Sequence, residues 1–472
     1  MSTIGLELSD AGIMAANSTT DKLLKVDGQA HESPGFALPG KRDLLVGKVA
    51  ESKAHLFPRQ IIHNFWNHLS TDPLEQPGAH VPQSNAEIAY SHLDLIWKTI
   101  QPYGNEVIIA VPGFYNRHEL GVLLGIANEL SIPVRGFMPL ALATSPDPQP
   151  GKMIFYLDVH LHRLEVTYLK QGAHLTLEDS VTGTEKGLIY LYKQYAEVIG
   201  QEFVDNTRFD PLHQAASEQK LYHRLPGILF NLQHSPSISF DMTGGSQSYG
   251  ITLSRDLIVR KAEPVFMEIR QLIEGLRTQH RENETSMVLQ LTHRLARLPG
   301  CKEFLAGIKN AEIFELEEGA GARGCLEIWQ QLSEQSDSGK ISFFTSRPLP
   351  RVRSAYDRVQ IVDDSINAYP THLLSRSIAY RISEKPLYFG DDLESKNPGV
   401  RAGKTPDEIS SVYFSVQLRE REVVLENLNT NGTYVNETLI SGSTVLQLGQ
   451  TLRVGTSGET FQLIACIDRD ET

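Results

Sequence analysis

Between Glu106 and Phe137 the chain spells a strand, a helix and a second strand with almost nothing between them. Glu106–Val111 (EVIIAV) is a short, nearly all-apolar run ended by Pro112-Gly113, the pattern of a strand buried on both faces. Residues 117–130 then carry Leu120, Leu123, Leu124 and Ile126 on one side of a helix, and 132–137 is a second short strand. Strand, helix and strand with tight joints form a crossover in a parallel or mixed sheet, so an α/β body is required at least here.

The neighbouring segments extend that body. Residues 1–8 alternate as a short strand, 58–70 carry core-facing aromatics, and 84–100 place Ile88, Leu93, Ile96 and Trp97 near helical spacing. Residues 152–167 read as a hairpin of two long strands, followed by amphipathic helices over 186–203 and 265–276. A strand is expected over 286–291 and a helix from Lys302. From Ser333 the composition shifts to Ser, Gly, Pro and scattered arginines, a loop or linker reaching about Pro370. Beyond it come short alternating runs at 412–418, 423–425, 451–454 and 461–467, the pattern of a β-sandwich.

Charge and cysteine usage exclude several classes. A net charge of −13 without long runs argues against nucleic acid or an anionic membrane as the main partner. Cys301, Cys325 and Cys466 lie far apart, with no spacing that holds zinc and no short disulfide framework, which suits a reducing cytoplasm. The first residues lack a secretory pattern, and no apolar run reaches the roughly 18 residues of a membrane span. A cytoplasmic protein without a membrane span is the expectation.

Val107–Thr144 (VIIAVPGFYNRHELGVLLGIANELSIPVRGFMPLALAT) resembles the segment of the actin and heat-shock-chaperone ATPase superfamily where a strand ends in Val-Pro and a helix and strand follow. Asp210-Pro211-Leu212 and residues 249–255 (YGITLSR) also sit where chaperone-like sequences carry similar text. The resemblance spans about residues 1–345 and implies a duplicated, ribonuclease-H-like α/β fold of two lobes that bind ATP between them. It places Glu7 where the family has a magnesium-holding aspartate, and Asp158 at the matching point of the second hairpin.

Phosphate loops of that family need glycine wherever a Cβ would keep backbone amides from the phosphates. Here Ser9 and Asp10 stand in place of glycine and threonine. Val159-His160-Leu161-His162 replaces a glycine run, and Leu291-Thr292 replaces a glycine pair. The resemblance therefore implies a pseudo-ATPase that binds nucleotide weakly or not at all. The alternative is a working ATPase in which Glu7 and Asp158 hold magnesium with ATP.

Three other signals carry less. Gly319, Gly321 and Gly324 form a GxGxxG after a strand-like run, but no βαβ unit starts there and no acidic residue follows at the dinucleotide spacing. A tight joint into the last helix of the second lobe is expected instead. His160 and His162 alternate on a strand but lack a third ligand, so no metal site is assigned. No GxSxG elbow supports a hydrolase, and no catalytic residue is assigned.

Residues 425–455 (LENLNTNGTYVNETLISGSTVLQLGQTLRVG) resemble the most recognisable run of the forkhead-associated domain, through Asn431-Gly432-Thr433, Val435-Asn436, Leu448-Gly449 and Val454-Gly455. The resemblance covers residues 372–470, with 346–371 as linker, and implies a sandwich that binds phosphothreonine peptides by loops at one end. It assigns Ser410 and Asn431 to the peptide. Asp391, not arginine, follows Gly390, and Tyr413 takes the place of a structural histidine. Arg401 is the cation left to supply the phosphate grip. A protein-binding scaffold of two such parts is the expectation; the alternative couples an active ATPase cycle to phosphopeptide binding.

Overall fold

The computed structural model describes residues 2–20, 22–41, 43–74, 82–145, 149, 151–183, 186–282, 284–332, 341–348, 370–375, 378–390, 399–401, 412–419, 422–428, 433–436, 438–454 and 460–465. The chain divides into two compact units, Met1–Pro350 and Arg351–Thr472. No helix among the described residues is long and apolar enough to cross a membrane.

The first unit begins with β1 (Thr3–Glu7), β2 (Ile13–Asn17) and β3 (Glu32–Ser33), then the small hairpin β4 (Ala37–Pro39) and β5 (Leu44–Val46) and the turn-length α1 (Lys48–Glu51). Next come α2 (Asn85–Ile100), β6 (Glu106–Val111), α3 (Arg117–Glu129), β7 (Val134–Pro139) and α4 (Leu140–Ala143). The crossover expected from the sequence is present: β6 and β7 are parallel and α3 joins them. Asn116 starts α3 with a capping box, its side chain accepting from the His118 backbone while Glu119 accepts from the Asn116 N–H.

A second set follows: β8 (Met153–Val159), β9 (Leu164–Gln171), β10 (His174–Thr182), α5 (Leu188–Thr207), α6 (Ala215–His234), the hairpin β11 (Ser237–Gly244) and β12 (Gln247–Ser254), and α7 (Arg255–Gln279). The set closes with β13 (Met287–Leu291), α8 (His293–Ala296), α9 (Cys301–Ala306), β14 (Ala311–Glu315) and α10 (Ala320–Leu332). The hairpin expected over 152–167 is β8 and β9, continued by a third antiparallel strand.

The two large sheets repeat one plan. In the first, β1, β2 and β3 form an antiparallel run and β6 and β7 add parallel strands on the far side of β1. In the second, β8, β9 and β10 form the antiparallel run and β13 and β14 add parallel strands beside β8. Alternating strand side chains feed separate cores. Val107, Ile109 and Val111 pack with α2 and α3, whereas Ile108 and Ala110 face a layer shared with Ile154 and Tyr156 of the second sheet. Phe155, Leu157 and Val159 point the other way, into the core built with α5, α6 and α7.

Helix α10 occupies the shared layer, and its glycines are explained by contact. A Cβ on Gly324 would overlap the Ala143 carbonyl, and one on Gly5 of β1 would overlap the Ala322 carbonyl. The GxGxxG is thus a close-packing device, as a tight strand-to-helix joint requires. The helix follows the second sheet in sequence but packs on β1, β2 and β6 of the first, which corrects its expected place in the second lobe. Two short strands within the stretch read as loop or linker, β15 (Ser342–Phe343) and β16 (Ser346–Pro348), extend the first sheet beside β7 and the second beside β10. One seven-residue strap therefore ties the edges of both sheets.

The second unit is an all-β sandwich. One sheet holds β17 (His372–Ser375), β18 (Ile378–Arg381), β23 (Thr433–Val435), β24 (Thr438–Ile440), β26 (Thr451–Val454) and β27 (Thr460–Ile464). The other holds β19 (Leu387–Gly390), β20 (Gly399–Arg401), β21 (Val412–Arg419), β22 (Glu422–Asn427) and β25 (Ser443–Leu446). Its core centres on Phe389, stacked on Phe414 at 4.7 Å and meeting Phe461 edge-on at 4.9 Å.

A Gly324→Ala substitution is expected to destabilise the first unit by about 2–3 kcal/mol, because the backbone it meets cannot move aside cheaply. Gly125→Ala on the open face of α3, where a Cβ meets nothing within 4 Å, is expected to stabilise by about 0.5–1 kcal/mol. Denaturant midpoints of the two variants check both signs.

Candidate functional site

The ends of β1 and β8 bring Glu7 and Asp158 to one buried cluster. Arg294 of α8 reaches between them: its Nη1 lies 3.6 Å from Glu7 Oε1 and 3.8 Å from Asp158 Oδ2. The same guanidinium donates through Nη2 to Glu32 at 2.8 Å and to the Gly12 carbonyl at 2.9 Å, and through Nε to Glu32 at 3.1 Å. Asp158 has little capacity left for another ligand. Its Oδ1 accepts from Thr292 Oγ1 at 2.7 Å and from the Val159 N–H, and its Oδ2 accepts from the Tyr156 hydroxyl. Glu7 Oε2 accepts from the Gly321 N–H at 3.0 Å.

The two hairpin loops close over each other beside this cluster. Asp10 Oδ1 accepts from the Leu161 N–H at 2.9 Å, and Ser9 Oγ lies 3.2 Å from His160 Nδ1. His160 Nε2 meets Glu165 at 3.0 Å, while the other oxygen of Glu165 accepts from the Gly113 N–H and from Thr167. The carbonyls of His160 and Leu161 accept from the N–H groups of Leu188 and Ile189, the first residues of α5. Those amides are the anion-seeking groups of a helix N-terminus. A Cβ on Gly187 would strike the backbone of this loop, so loop and helix start are in direct contact.

Buried charge of this density shifts ionisation strongly. Burial raises Glu7 more than Arg294 lowers it, so its carboxyl titrates above the usual range. Burial also opposes ionisation of Asp10 and Glu32, but His160 and the Leu161 N–H together outweigh it for Asp10, and Arg294, His293 and Lys48 together for Glu32, holding both below the usual range. Burial disfavours the His160 cation, yet Asp158, Asp10 and Glu165 around it raise its pKa to about 10. His160 is therefore an imidazolium at neutral pH and Arg294 a permanent cation, and together they offset the charge of the carboxylates around them.

The other sequence-derived candidates are dispersed. His160 and His162 do not converge: His162 turns to the first lobe, with Nε2 lying 3.0 Å from His63 Nδ1 and 2.9 Å from the His63 carbonyl oxygen. No group of three His, Cys, Asp or Glu side chains suited to a metal occurs among the described residues. Cys301 and Cys325 are buried free thiols. Ser410, Asn431 and Asp391 lie outside the described residues, as does the side chain of Arg401, whose backbone ends β20. Around them, Tyr413 is a core residue, and its carbonyl accepts from the Leu428 N–H. Thr433 is buried and donates to Asn427, and Asn436, at φ 46°, accepts from the Thr451 N–H at 3.0 Å. The Thr433 and Asn436 positions of the resemblance thus fasten β23 and its turn to neighbouring strands.

The pH dependence of His160 follows from its shift. Its folded pKa lies above its free value of 6.5, so its stabilisation is complete below the free value and lost as pH rises through about 10. Thermal midpoints from neutral to alkaline pH are expected to fall more steeply for the wild type than for His160→Gln.

No curated protein matches the chain at a significant level. A family model described as the FHA domain matches residues 404–455. The C-terminal unit therefore carries an FHA domain, a phosphopeptide-recognition module of protein interaction.

Proposed function

We propose that the protein is a non-enzymatic scaffold whose FHA domain engages phosphothreonine-containing protein partners and whose larger unit is an actin-like body with a self-filled cleft. The repeated order of three antiparallel and two parallel strands supports the actin-like, ribonuclease-H-like reading of that unit. The observation carrying the functional reading is the placement of Arg294 between Glu7 and Asp158. A nucleoside triphosphate with magnesium brings phosphate oxygens to a metal held by such carboxylates and needs free amides beside them. Here a guanidinium neutralises the carboxylates, and loop carbonyls occupy the α5 amides. These residues do not fit the group, and no hydrolytic step is derived through it.

Within the FHA domain, Ser410 and Asn431 are proposed to hold the peptide and Arg401 the phosphate, since Asp391 follows Gly390 where an arginine would otherwise stand. Phosphate-directed recognition by an arginine fork also suits a protein of net charge −13, which would otherwise repel acidic peptides.

Calorimetry of the full chain with magnesium ATP is expected to give no saturable heat, and millimolar nucleotide no rise in thermal midpoint. Saturable binding abolished by Asp158→Ala would instead establish the ATPase reading. For the FHA domain, a phosphothreonine peptide should bind at least about tenfold more tightly than its unphosphorylated form, with the difference lost in Arg401→Ala. Equal binding of the two peptide forms by the best-binding sequence of a peptide library would refute phosphate recognition.

A further inference from the structure

A cavity of about 830 Å³ lies between residues 48–63 and helices α5 and α6, and adjoins the space beside Arg294 through Ile189, Tyr192 and Pro226. It falls in the size range of small-molecule sites. Its walls mix rings, aliphatic side chains and charges. Tyr222 of α6 stacks on His55 at 3.6 Å with their planes 26° apart, while Phe36 and His63 meet edge-on at 5.7 Å. Tyr192 and Tyr222 also line it, both half-buried.

The charges lining the cavity are not balanced. Lys48 and Glu51 pair with each other at 3.2 Å, and Lys193 and Glu197 stand one turn apart on α5 with opposite signs. Glu218 is the remainder. Its partner is His55 Nδ1 at 3.1 Å, and burial outweighs Glu218 to hold that imidazole below its ordinary pKa. His63 is lowered further, to about 4, chiefly by burial and then by His162. At neutral pH neither imidazole supplies a compensating cation. One carboxylate thus remains inside a ring-lined cavity, and aromatic faces themselves attract cations.

We propose that this cavity is a binding site for a small aromatic amine, its ring laid against Tyr192 and Tyr222 and its ammonium directed to Glu218. Such a ligand offers N–H donors to the carboxylate and the tyrosine oxygens while its ring occupies the apolar space. Because the walls come from both lobes, binding also fastens them together.

Tryptamine is a suitable probe, with indole-3-acetate as the same ring bearing the opposite charge. Calorimetry on the full-length protein is expected to show saturable tryptamine binding and a raised thermal midpoint. Indole-3-acetate should bind at least about tenfold more weakly, and Glu218→Gln should weaken tryptamine by a similar factor. The comparison of the two probes on the wild type needs no variant, so it stands even if Glu218→Gln folds poorly. No saturable tryptamine binding, or indole-3-acetate bound as tightly, would overturn the proposal; so would a folded Glu218→Gln protein with unchanged affinity.

Discussion

Glu7, Glu32 and Asp158 are brought together from strands far apart in the chain, and Arg294 stands among them. Without that guanidinium, three carboxylates would share a buried pocket with little water to screen them. Coulomb repulsion would then oppose the approach of the loops that supply Asp10, His160 and Leu161. The interdigitation of those loops, the contact of the second with the start of α5, and closure of the lobes all follow from charge neutralised inside the protein. Removing one side of such a buried pair leaves an uncompensated ion, which costs on the order of 3–5 kcal/mol.

Packing reinforces what the ions begin. Helix α10 lies between the sheets because Gly5 and Gly324 let backbone meet backbone, while Gly321 leaves room for the Glu7 carboxylate that its N–H binds. The strap from Ser342 to Pro348 pairs with an outer strand of each sheet. An opening motion of the two lobes would have to break strap hydrogen bonds, the Asp10–Leu161 bond and the Glu165–Gly113 bond together. The cluster and the strap thus act on one degree of freedom.

The sequence made much of this fold legible, for identifiable reasons. The β6–α3–β7 crossover announced itself because strands buried on both faces read as unbroken apolar runs. Helix α6 went unread since Pro226 and Gly227 interrupt its pattern, although the helix runs through them from Ala215 to His234. Strand β10 was hidden by polar residues such as Glu178 and Asp179 and by the register shift at Leu177/Asp179. At the site, the missing glycines of the hairpins were visible, and the bulky residues that replaced them do fill the loops. Arg294 and Glu32 were missed: an arginine in a helical stretch reads as a surface residue, and only tertiary contact shows that it is buried. The signal available was the coincidence of lost glycines with a cation in the third loop. His160 was weighed as a metal ligand because two histidines alternate, yet Asp158, Asp10 and Glu165 around it make it a cation instead.

The distance across the cleft tests the central claim most directly. Spin labels at Val49 and Phe230, both exposed and on opposite lobes, in a background whose native cysteines are replaced by serine, report opening by pulsed electron resonance. A narrow distance distribution unchanged by magnesium ATP, and broadened by Arg294→Ala, is the predicted result. A distribution in the wild type that shifts on adding nucleotide would contradict the account, since a cleft neutralised by its own arginine has no reason to respond.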